Sequence, residues 1–114
     1  MENKTITYND FAKIDIRVGK ILRVEEFPKA RKPAYKLYID FGELGEKQSS
    51  AQITNLYKPE DLIGRQIVAV VNFPGKQIAD FISEVLVLGA TDGETNAIVL
   101  LKPDRDTNPG APIS

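Results

Sequence analysis

The stretch Ile14-Asp15-Ile16-Arg17-Val18-Gly19-Lys20-Ile21-Leu22-Arg23-Val24-Glu25-Glu26-Phe27 sets Ile14, Ile16, Val18, Leu22 and Val24 against Asp15, Arg17, Arg23 and Glu25. A period of two marks a half-buried strand, because successive side chains point to opposite faces of a sheet. Gly19 interrupts the run. A glycine inside a strand predicts a bulge or sharp bend, the device by which one long strand serves both halves of a small barrel.

Upstream, residues 7–13 read as a helical turn, with Thr7 or Asn9 placed to cap its first amides. Downstream, Pro28 and Pro33 withhold ladder donors and bound a turn. Tyr35, Leu37, Ile39 and Phe41 then alternate on one strand face, and Gly42 to Gly45 marks a hairpin connection. Residues 47–53 form an unusually polar third strand, expected to be central. Residues 57–64 suit a helical turn, since Pro59 fits a first helical position and Gly64 a C-terminal stop. Residues 67–71 are a buried strand, 72–82 a long connection and 85–88 a fifth strand. Asp92-Gly93 turns the chain into a last strand over 97–101, and the proline-containing tail has no periodicity. About six short strands without a strand–helix–strand rhythm predict an all-β domain over residues 1–114. The pattern alone fits a five-stranded OB barrel or a small sandwich.

The chain of 114 residues has neither Cys nor His. Disulfides, thiolate nucleophiles, Cys/His zinc sites and Ser-His-Asp triads are excluded, and so is the side chain best suited to proton transfer near neutral pH. No enzymatic activity is expected, and no cofactor or metal. Asp104 and Asp106 lack a third ligand nearby and read as a surface loop, as Glu60, Asp61 and Glu84 read as caps or surface charges. Apolar runs are too short to span a bilayer, and the first residues lack a signal-peptide pattern, so a cytoplasmic protein without membrane insertion is expected.

The net charge of −1 conceals an asymmetry: residues 1–36 hold 9 Lys/Arg against 5 Asp/Glu, residues 37–114 hold 6 against 11. Lys29, Arg31, Lys32 and Lys36 cluster on one loop and strand start, where they either pair with phosphates or carboxylates or keep the loop solvated. Ser49, Ser50 and Gln52 open a strand face to hydrogen bonding or simply to water. Asn72, Phe73, Lys76, Phe81, Ile82 and Ser83 extend the candidate groove, although a core plug, the commoner fate of a lone Phe, is the alternative for Phe73 and Phe81.

Asp15-Ile-Arg-Val-Gly-Lys-Ile21, Lys36-Leu-Tyr-Ile-Asp-Phe-Gly42, Val70-Val-Asn-Phe73 and Ser83-Glu84 stand in the order of the tRNA-binding OB domain, found on some aminoacyl-tRNA synthetases and as free-standing proteins. Lys47-Gln-Ser-Ser-Ala-Gln-Ile53, Tyr57-Lys-Pro-Glu60 and Ser83-Glu-Val-Leu-Val-Leu-Gly89 resemble the CsaA-type, export-associated chaperones within that family. The resemblance runs from about Phe11 to Pro112. It implies a Greek-key OB barrel with a short N-terminal helical turn, a short helix between strands 3 and 4 and an extra C-terminal strand. It also implies a homodimer holding unfolded polypeptide or export precursors, with tRNA or structured RNA as the alternative partner. Tyr8, Phe11 and Ile113 are natural interface residues, being apolar groups outside the barrel. Asp80 and Ile82 stand where such chaperones tend to carry Gly and Lys, and both changes tilt the groove from RNA toward polypeptide.

Overall fold

A computed structural model describes residues 4–114. Thr7 caps the first helix, α1 (Tyr8–Ala12): its hydroxyl accepts from Asp10 N–H at 3.2 Å, and the Asp10 carboxylate accepts from Thr7 N–H at 3.0 Å. This reciprocal capping box satisfies two of the helix's orphan donors. The long alternating segment becomes β1 (Ile16–Glu26), followed by β2 (Tyr35–Asp40) and β3 (Glu46–Ala51). The β2–β3 connection contains a single 3-10 turn over Gly42–Leu44, and Gly42 and Gly45 take positive φ there. Helix α2 (Pro59–Leu62) begins on Pro59, and Gly64 beyond it has φ +86°.

Next come β4 (Gln66–Val70), β5 (Lys76–Ile78), β6 (Phe81–Ser83), β7 (Leu86–Val87), β8 (Gly89–Thr91) and β9 (Ile98–Leu100). The main sheet is antiparallel with order β3-β2-β1-β4-β7. β1 serves both halves: residues 16–20 pair with β4 and residues 20–26 with β2. The sheet curls until β3 meets the segment after β6. There Glu84 N–H donates to Gln48 C=O at 2.8 Å, and the buried Ser49 hydroxyl donates to Val85 C=O at 3.0 Å. The result is a nearly closed five-stranded antiparallel barrel of the OB type, with the extra C-terminal strand as β9, paired to β8.

Three sequence expectations change. The register shift of β1 falls between Ile21 and Arg23, not at Gly19. Skipping Leu22 in the ladder puts Ile21 in the core and leaves Leu22 exposed, the reverse of the simple alternation. The polar third strand is at the edge where the barrel closes, not at its centre. Residues 72–82 are not one long connection; they contain the β5–β6 hairpin.

The main core gathers Ile21, Leu37, Ile39, Phe41, Leu62 and Ile67, all fully buried. A second, smaller core lies apart from it: Phe27, Ala34 and Phe81, with Ala30, Tyr38 and Ile78 against them. Lys36 and Tyr38 alternate with the barrel-filling residues of β2, so this second core docks the hairpin on the outer face of the sheet.

Candidate functional site

Around the hairpin the chain builds two clefts that share Lys76. The first, about 690 Å³, is lined by Lys29, Ala30, Arg31, Lys32 and Ala34 of the proline-bounded loop, by Ser50 and Gln52, and by Lys76 to Ala79 of β5 and its turn. It is cationic. The second, about 450 Å³, is lined by Phe73, Pro74, Gly75 and Lys76 and by Ser83 to Leu86. Apolar groups dominate it, and Phe73 and Leu86 are 54% and 48% exposed. Ile82, on the intervening strand, is 45% exposed, so apolar surface continues along the hairpin.

The hairpin is fixed to the barrel by three kinds of contact. Phe81 is 5% exposed and meets Phe27 and Tyr38 edge-on, with ring centroids 5.5 and 6.4 Å away. Edge-to-face pairs suit the aromatic quadrupole. Gln48 Nε2 donates to Ile82 C=O at 2.8 Å, and Ser50 N–H donates to the Ser83 hydroxyl at 3.1 Å. At the hairpin tip Lys29 Nζ donates to the Asp80 carboxylate at 3.0 Å. That hydrogen bond holds the Asp80 carboxyl below the usual carboxylate range, with the charges of Lys29 and Lys36 adding to it. The negative charge at Asp80 is therefore partnered and serves as a tether.

The sequence-predicted site residues fall into two groups. Arg31, Lys32, Ser50, Gln52 and Lys76 line the cationic cleft, and Phe73, Lys76 and Ser83 line the apolar one. Ile82 lines neither cleft and stands exposed on the strand between them; the remaining four are held in structural contacts. Lys36 Nζ sits 4.9 Å from the Phe27 ring centroid and 5.4 Å from that of Phe81, a cation over two π-faces. Ser49 is 1% exposed and bonded to the barrel seam. Asn72 accepts from Asp15 N–H at 3.0 Å and donates to Lys13 C=O at 2.7 Å, pinning the end of β4 to the segment after α1. Phe81 is a core plug.

Gln77, Val85 and Leu86 line the clefts without having been singled out as site residues. Val85 and Leu86 read as ordinary strand residues, and Gln77 carries its signal only once the hairpin around it is known. Among the described residues no group of three or more Asp, Glu, His or Cys side chains could hold a metal ion, and Asp104 is surface-exposed beside Arg105. No helix among them is long and apolar enough to cross a membrane.

Comparison with known proteins places this geometry. A CsaA chaperone protein from Picrophilus torridus is 61% identical, with a TM-score of 0.90 over 96% of this chain and 100% of that one. Chaperone CsaA from Bacillus anthracis str. Ames is 56% identical, with a TM-score of 0.91 over 96% and 99%. The methionine–tRNA ligase of Methanococcoides burtonii is 39% identical over 108 residues, which are 95% of this chain and 16% of the ligase. The chain thus spans about a sixth of the length of that ligase. The family described as "Putative tRNA binding domain" matches residues 16–112. On these likenesses the chain belongs to the tRNA-binding domain family and, within it, to the CsaA-type proteins.

Proposed function

We propose that this protein is a chaperone that holds extended, unfolded polypeptide, export precursors among them, against the β5–β6 hairpin. It would do so as a cytoplasmic homodimer of single-domain subunits, with no catalysis of its own. The observation that carries this reading is the apolar cleft around Phe73 and Leu86, which opens beside the exposed Ile82. A contiguous exposed apolar surface is a contact surface for another macromolecule. The similarity to two CsaA chaperones over their whole length supports the same reading. Nothing in the site calls for a nucleotide, so release of the client would be passive or by hand-off.

A second reading, binding of tRNA or structured RNA, draws on the cationic cleft and on the tRNA-binding family. Salt separates the two. Each phosphate contact releases counterions, so RNA affinity falls steeply between about 50 and 200 mM salt, whereas burial of apolar surface is nearly indifferent to it. We expect an unfolded, apolar-rich peptide to bind with a shallow salt slope, and Phe73→Ala to weaken it at least several-fold. Tight tRNA binding at physiological salt with no peptide binding would overturn the chaperone reading.

A further inference from the structure

The β5–β6 hairpin leaves one strand edge open. Its pairs are Lys76 with Ser83, Gln77 with Ile82 and Ile78 with Phe81, around the two-residue turn Ala79-Asp80. Hydrogen-bonded and non-hydrogen-bonded pairs alternate along an antiparallel ladder. The pair that closes a two-residue turn is a bonded one, so Ile78 and Lys76 face β6 and Gln77 turns its N–H and C=O away from it. No other strand pairs with β5 among the described residues, while the far side of β6 lies against β3, where Gln48 Nε2 donates to Ile82 C=O and Ser50 N–H to the Ser83 hydroxyl. The free edge belongs to the lining of the cationic cleft, together with the small side chains Ala30, Ala34 and Ser50.

We propose that this edge takes up an acidic, extended segment of another polypeptide as an added strand, paired backbone to backbone with Gln77. The inference rests on the chaperone reading and names how, and which, segments are held. Main-chain pairing is indifferent to side-chain identity, which suits a holder of unfolded polypeptide, since any extended segment offers the same backbone. The cleft's charge selects among them. Lys29 is paired with Asp80, but Arg31, Lys32 and Lys76 have no ion pair among the described residues, so carboxylates on the incoming strand are matched and basic segments repelled. Lys76 also opposes pairing of β5 with a second copy of itself, a common use of lysine on an open edge.

The test uses the intact protein and an acidic, apolar peptide made in three forms: unmodified, and N-methylated at alternate residues in either of the two phases. In a strand, alternate N–H groups point to opposite edges. One methylated phase should lose at least tenfold in affinity and the other should bind as the parent does. Exchange of the Gln77 amide should slow when the parent peptide is added. Replacing the peptide's Asp and Glu by Lys should weaken it at least fivefold. Loss in neither phase, equal loss in both, an unchanged Gln77 amide or equal binding of the lysine peptide would each overturn the inference while leaving the chaperone reading intact. Failure of the parent and every apolar-rich peptide to bind would remove both.

Discussion

A methyl group added at Gly19 would lie 2.5 Å from Ile39 Cγ2 and 2.7 Å from Phe41 Cε1, both fully buried. Neither neighbour has room to retreat, because protein interiors are packed as densely as organic crystals. Gly19→Ala is therefore expected to cost about 1–3 kcal/mol, the usual penalty for overpacking. Urea unfolding should show a lower midpoint at unchanged slope. Gly93→Ala is the control: nothing lies within 4 Å of the added carbon and its φ is not positive, so its effect should stay within about 1 kcal/mol. Gly19 also shows what a sequence pattern misses. A strand glycine is compatible with a bulge or with close approach of a neighbour, and only the packing of Ile39 and Phe41 decides for the second. Ala79 is the opposite case, a side chain where glycine fits better. Its φ of +54° puts a Cβ in the left-handed region at the first central position of the hairpin turn. Relief of that strain by Ala79→Gly should stabilise the protein by about 1 kcal/mol, read as a raised unfolding midpoint. No gain would show that the turn relaxes in solution.

At the scale of elements, the sequence makes β2 and β4 plain because each carries a full run of five or six residues in strict alternation or continuous burial. The helices are equally plain from Thr7, Pro59 and Gly64. The β5–β6 hairpin escapes notice because its strands have three residues each and its turn lacks glycine. With the hairpin unseen, the two clefts and the open edge of β5 could not be read, although most of their basic and aromatic residues were. The tip of the hairpin has its own pH dependence. Asp80 is held below the ordinary carboxylate range in the folded state, so its contribution is complete above the unfolded carboxylate pKa of about 4 and disappears as pH falls through the lower folded value. In Lys29→Gln the Asp80 titration, followed by NMR at its carboxyl carbon, should move up toward the ordinary range. Amides of residues 76–83 should exchange faster in the same variant. An unmoved titration would mean that the pair does not form in solution.

At the scale of the whole molecule, the C-terminal tail and the segment after α1 converge on the first half of β1. Val18 N–H donates to Ala111 C=O at 2.9 Å, Gly110 N–H to Val18 C=O at 2.7 Å and Ile113 N–H to Ile16 C=O at 2.9 Å, so the tail runs beside the strand. Asn72 ties the segment just after α1 to the same region. Helix α1 itself buries no residue in its own subunit, yet it is fully capped and carries Tyr8 and Phe11 with ring centroids 6.4 Å apart. A five-residue helix is marginal in water without packing of an apolar face. In the proposed dimer a second copy of the chain, brought up by two-fold symmetry, would supply that packing, with Ile113 at the neighbouring edge. The consequence separates assembly from folding. Phe11→Asp should leave the barrel's far-UV spectrum intact while sedimentation velocity at micromolar concentration shows the mass falling to that of one subunit. Asp on the far side of α1, as in Asn9→Asp, should leave the mass alone. A Phe11→Asp protein that sediments as the wild type does would place the interface elsewhere on the barrel and leave the apolar face of α1 without its proposed partner.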